Sequence, residues 1–197
     1  MNRHLLLITT FIVSMSSRGL AQSSDTPELG SEDAIAAATT EPRFLSPWVS
    51  YVPDHPDVPS PTEHLGHIVG ATGELTRTES IYAYYRALAA ASDRVKVEVI
   101  GRTEEGNDIL LVIVGDAASV RQLDRTRAAM AALADPRRTD EAAMERIVAE
   151  TKPFYMLHGG LHSTETGSPE MLMELVYRLA VSESRHVKMI RDAVVVL

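Results

Sequence analysis

Residues 154–179, FYMLHGGLHSTETGSPEMLMELVYRL, constrain the fold of this chain more than any other stretch. They read as a short apolar strand, a loop containing glycines, and an amphipathic helix. His162 and Glu165 stand three positions apart in the loop, with Gly159 and Gly160 before them and Gly167 after. A neutral imidazole and a carboxylate are two of the ligand types that a catalytic zinc takes, and a third protein ligand and a water would complete its tetrahedron. The glycines permit tight backbone paths that bring both side chains to one point at the end of a strand. Open α/β sheets place their sites there. His-x-x-Glu has only two fixed positions and recurs by chance, so the weight falls on its setting. Ser168 is placed to cap the helix, Pro169 suits its first position, and Glu170 suits the positive end of its dipole.

The rest of the chain supplies strands and helices in the proportions of an α/β domain. Residues 94–100 (RVKVEVI) alternate charged and apolar side chains, the pattern of a half-buried strand. After a turn at 101–107, ILLVIV (109–114) is continuously apolar, which suits a strand covered on both faces. A helix is predicted over 79–91, capped by Thr78, with Ile81, Tyr84, Tyr85 and Leu88 on one face. Two more are predicted at 119–133 and 140–149, separated by Pro136, with Thr139 or Asp140 capping the second. The helix after the motif should bury Leu172, Leu175, Val176 and Leu179, with Met171 and Met173 as core fillers. Residues 187–192 extend helically, and AVVVL (193–197) reads as a further buried strand.

The motif GGLHSTETGSPE and the upstream IGRTEEGNDILLVIVGD together resemble the zinc carboxypeptidase family (carboxypeptidase A-like metallopeptidases), most closely its secreted bacterial branch. The similarity spans about residues 61–197. It implies a mixed, mostly parallel sheet with helices on both faces, of which this chain would hold the N-terminal portion. It also implies one Zn2+ ion, with His162 and Glu165 as its first two ligands, and a peptide or protein substrate cleaved by zinc-activated water. Thr164 stands where the best-known members carry a substrate-binding arginine. The family's third zinc ligand, its general-base glutamate and its carboxylate-gripping residues lie further downstream than Leu197. The expectation is therefore a C-terminally incomplete site with little peptidase activity of its own. His186, in the polar run SESRHVK, reads as an exposed helical histidine. Two other readings fit the same ligand pair: a zinc deacylase or amidohydrolase on this scaffold, and a non-catalytic exported binding relative.

Residues 1–21 read as a cleaved secretory signal: Arg3, a short apolar run, then Gly19-Leu20-Ala21. That run is too short to span a bilayer, so no stable membrane anchor is expected. The chain has no cysteine, which leaves neither a lipid attachment point nor a disulfide framework and points to a bacterial periplasmic or secreted protein. Loss of the signal removes two arginines and no acid, moving the formal charge from −8 to −10. Such a balance argues against nucleic acid or an anionic membrane surface as partner. Oligomeric state is left open. Residues 22–60 read as a low-order, proline-rich lead, with Trp48 and Tyr51 pinning it to the domain at 61–197. His55, His64 and His67 read as surface histidines.

Overall fold

A four-stranded mixed sheet with helices on both faces carries the molecule, in the strand order β1-β2-β4-β3. The computed structural model describes residues 25–197, so the expected signal sequence lies outside the described residues. In chain order the elements are α1 (Ser31–Ala38), α2 (Pro61–Leu65), α3 (Thr78–Ala91), β1 (Val95–Arg102), β2 (Asp108–Val114), α4 (Ala117–Arg121), α5 (Leu123–Ala134), α6 (Glu141–Glu150), β3 (Phe154–Tyr155), α7 (Gly167–Val181), α8 (Arg185–Ala193) and β4 (Val195–Val196). No helix among the described residues is long and apolar enough to cross a membrane.

Strands β1 and β2 form an antiparallel hairpin running from Val95 opposite Val114 to Arg102 opposite Asp108, with a register shift between Val99 and Gly101. Strand β4 then joins both sides: it meets β2 antiparallel at Val114–Val196 and β3 parallel at Phe154–Val195 and Tyr155–Val196. The sheet is mixed as expected, although only the β3–β4 pairing is parallel. Neighbouring residues along β2 and β4 point to opposite faces, and each face has its own apolar cluster. Val114 and Val196 pack with Tyr84, Leu88, Met173 and Tyr177 of α3 and α7. Ile113 and Val195 pack with Leu123 of α5 and with Val120 of α4. Partial coverage on both faces begins at Leu111 and Val112, and full burial is confined to Ile113 and Val114 at the end of β2. Ile109 near its start is exposed, because β4 reaches only the last residue of the strand.

The helices follow local rules with small shifts. All four residues expected on the inner face of α3 are buried, and Asp140 caps α6 through the amide of Ala143. Asp116 caps α4 through the amides of Ala118 and Ser119, and the helix expected from 119 is broken in two at Gln122. In α7 the deepest side chains are Met173 and Tyr177, while Leu172 and Leu175 are only partly buried. Met171 corrects the expectation of a core filler, since half of it is exposed.

The lead departs most from its low-order expectation. Over its described part, Val52, Val58, Pro53 and Ser60 are buried in or against the core. Pro27 bridges Pro53 in antiparallel fashion. Tyr177 donates its hydroxyl to the Pro53 carbonyl at 2.7 Å. Arg178 of α7 donates to the carbonyls of Trp48 and Tyr51 and lies over the Tyr51 ring. Proline-rich sequence excludes regular ladders, but it leaves carbonyls free for side-chain donors, and α7 supplies them.

Candidate metal centre

The loop between β3 and α7 brings His162 and Glu165 together. Its path begins with Leu157, whose amide donates to the Leu197 carbonyl at 2.8 Å and so continues the β3–β4 ladder. Gly159 then passes so close to α7 that a Cβ there would lie 2.5 Å from Leu172 Cδ1. Gly160 follows with φ +81°, a left-handed turn that favours glycine. The Glu165 carboxylate closes the loop: Oε2 accepts from the amides of Leu161 and His162 at 2.9 and 3.1 Å. Its other oxygen, Oε1, lies 2.7 Å from His162 Nδ1.

Both side chains face solvent, with His162 69% and Glu165 48% exposed. The His162 hydrogen bond, helped by the Leu161 and His162 amides, holds the Glu165 carboxyl below the usual carboxylate range, so it is ionised at neutral pH. The pair opens onto a shallow cleft of about 320 Å³. Thr76, Thr78 and Ile81 form its far wall, and Gly159, Gly160, Ser163 and Thr166 its near one.

As a pair these residues fit a zinc ion: a nitrogen and an ionised oxygen converge on one accessible point, held by a loop whose Leu161 and His162 amides are satisfied by the same carboxylate. Among the described residues no group of three or more histidine, cysteine, aspartate or glutamate side chains stands ready for a metal. The other histidines singled out in the sequence are engaged elsewhere, and His67 Nδ1 lies 2.9 Å from the Ile68 carbonyl. His55 Nδ1 accepts from the amides of Asp57 and Val58. His64 packs on Tyr84, and His186 is exposed and stacks on Trp48 with ring centroids 4.2 Å apart.

The start of α7 differs from its expected cap. The helix begins at Gly167 with Thr166 before it and no side-chain cap, so Pro169 is its third residue. Glu170 has a role that local sequence did not suggest. It is 5% exposed and accepts from the amides of Thr76 and Gly70 at 2.7 and 2.9 Å. Those partners lie 94 and 100 positions upstream, beyond the reach of any spacing rule. Glu174 is likewise engaged, 2.6 Å from Arg178 Nε.

Comparison with curated proteins and with solved structures found no match. A family model described as zinc carboxypeptidase matches residues 81–197, a span that begins in α3 and contains the whole sheet and the ligand loop. On that match, which covers more than half of the sequence, the chain belongs to the zinc carboxypeptidase family.

Proposed function

We propose that this protein is a zinc-dependent metallopeptidase of the carboxypeptidase type, exported from a bacterial cell, with His162 and Glu165 as two ligands of one Zn2+ ion. The observation that carries the reading is the convergence of His162 Nδ1 and Glu165 Oε1 at 2.7 Å, inside the region that matches the family. A zinc ion held there would polarise the scissile carbonyl and lower the pKa of its bound water. The chain's own residues hold and orient. His162 offers an imidazole nitrogen, and Glu165 offers a carboxylate kept ionised by its donors. Thr78, Ser163 and Thr166 line the cleft with hydroxyl groups that can bond a peptide backbone. Neither Glu170 nor Glu174 is placed as a general base, because the carboxylates of both are taken up by donors within the fold.

Zinc titration calorimetry tests the reading. One ion per chain is expected, with affinity weakened about tenfold or more by H162A or E165Q. Both residues are exposed, so the metal-free melting temperature should stay near that of the wild type. Absence of binding, or binding indifferent to H162A, would refute the assignment. Only two ligands converge among the described residues, so peptide turnover by the isolated chain is expected to be weak. Release of the last residue from a peptide supports the carboxypeptidase reading. Hydrolysis of an N-acyl amino acid instead would redirect it to a deacylase.

A further inference from the structure

Among the described residues Glu170 is the one deeply buried carboxylate beside the cleft, and both its oxygens are committed to a segment distant in sequence. It lies in the first turn of α7, which starts directly after the ligand loop. Its partners, the amides of Gly70 and Thr76, belong to the irregular segment 66–77, which has three glycines at positive φ, Gly66, Gly70 and Gly73. That segment carries Thr76 and leads into Thr78 and Ile81, the wall that faces His162 and Glu165. We propose that Glu170 is a positioning residue, fixing this wall at a set distance from the metal ligands by bonding its backbone to the base of α7.

The chemistry favours this role over the others open to a buried glutamate. A general base or metal ligand needs a free oxygen turned to the cleft, and here Oε1 and Oε2 each accept a backbone N–H. An apolar residue in its place would leave two backbone donors facing a buried site. Ile68 is buried and Val69 packs against the core, which anchors the start of the segment, but from Gly70 onward its own backbone bonds are two tight turns, Ala71 to Ile68 and Glu74 to Ala71. Between Gly70 and Thr76 its position against α7 therefore rests chiefly on the Glu170 carboxylate. The consequence for zinc rests on the function proposed above, while the placement of the wall does not.

The test uses E170Q in the full chain, read by backbone amide hydrogen exchange and zinc titration. Glutamine keeps the size but presents an NH2 group to one of the two amides, so that bond is lost. Exchange at Gly70 and Thr76 should speed up about tenfold or more while Tyr84 and Leu88 in α3 exchange as in the wild type. Zinc affinity should weaken by roughly three- to tenfold with His162 and Glu165 intact. Unchanged exchange at both amides overturns the proposal. Faster exchange with unchanged zinc affinity also overturns it, because the wall would then move without consequence for the ligands. If the wild type binds no zinc, the function proposed above falls and exchange alone decides whether Glu170 holds the wall. Should E170Q fail to fold, E170D keeps the charge with a shorter reach and is expected to free one of the two amides.

Discussion

Replacing Gly160 with alanine separates the strain of the ligand loop from the stability of the domain. Gly160 has φ +81°, and a Cβ there would stand 3.4 Å from the Glu165 carbonyl oxygen, tight but not clashing. The left-handed conformation costs an alanine roughly 1–2 kcal/mol. Reduced freedom of the unfolded chain returns part of that, leaving a net strain of about 1 kcal/mol. The loop can carry this strain or shed it by moving. Residues 161–167 are all exposed and are held by the hydrogen bonds of Glu165 rather than by packing, so a small shift that lengthens those bonds is the cheaper response. The metal-free melting temperature of G160A should then fall by no more than about 2–4 °C. Zinc binding requires the original path, so the 1 kcal/mol reappears there as an affinity about fivefold weaker. Gly106, at φ +85° with open space around it, sits in the hairpin turn away from the cleft and provides the control. G106A should lose similar stability and leave zinc affinity alone. Calorimetric titration of the three proteins is the assay. A G160A variant that binds zinc like the wild type, or a G106A variant that loses as much affinity, refutes the reasoning.

Two further substitutions probe the frame around the site. Arg178 is 8% exposed, and R178A removes its bonds to the Trp48 and Tyr51 carbonyls while leaving Glu174 unpaired. It should destabilise the protein by about 3 kcal/mol, and limited proteolysis should cut first within residues 40–51; resistance there would show that the lead is held by other contacts. Burial raises the Asp116 carboxyl, but hydrogen bonds from Lys152 and Ser119 outweigh it and hold the group well below the usual range. A depressed folded-state pKa gives stability that is present above the unfolded value of about 4 and lost as pH falls through the folded one. D116N should therefore melt below the wild type at pH 6, with the gap narrowing as pH drops below about 4; a constant gap in the melting curves would count against the Lys152 pairing.

What could be read from the sequence was what neighbours in the chain decide. The α3 face, the hairpin, the break at Pro136 and the His162–Glu165 pair all depend on contacts within a few residues, or on an alternation visible in the letters. Misreadings fall where distant partners decide. The prolines of the lead speak against regular structure but are silent on burial, and Val52 is buried because α7, over a hundred residues later, offers Tyr177 and Arg178 to its neighbours' carbonyls. Glu170 looked like a dipole residue because its position in the helix is sufficient for that role. Only the fold shows two amides from residues 70 and 76 arriving at its oxygens. Met171 and Met173 are alike in composition, and one turns outward because α7 packs on Tyr84 through a face centred on Met173 and Tyr177.

The 2.7 Å contact within the ligand pair also helps to hold so exposed a loop in shape. Separately, a histidine and a glutamate on a glycine-rich loop would sample many rotamers, and fixing them on binding would cost side-chain entropy. Here the carboxylate is anchored three times, by two amides and the imidazole, so much of that cost is met in the fold itself. The two oxygens divide the work. Oε2 is bound to the loop backbone, while Oε1 and the imidazole bond only each other and can exchange that bond for a cation without loosening the loop. A cation bound there would take the place of the hydrogen bond that joins the pair. Glu165 has no proton to give up to the cation in the neutral range, since its hydrogen bonds keep it ionised. Preorganisation of this kind depends on the near wall alone. The far wall, carrying Thr76 and Thr78, has no such local anchor, and its place beside the ligands is set from the base of α7.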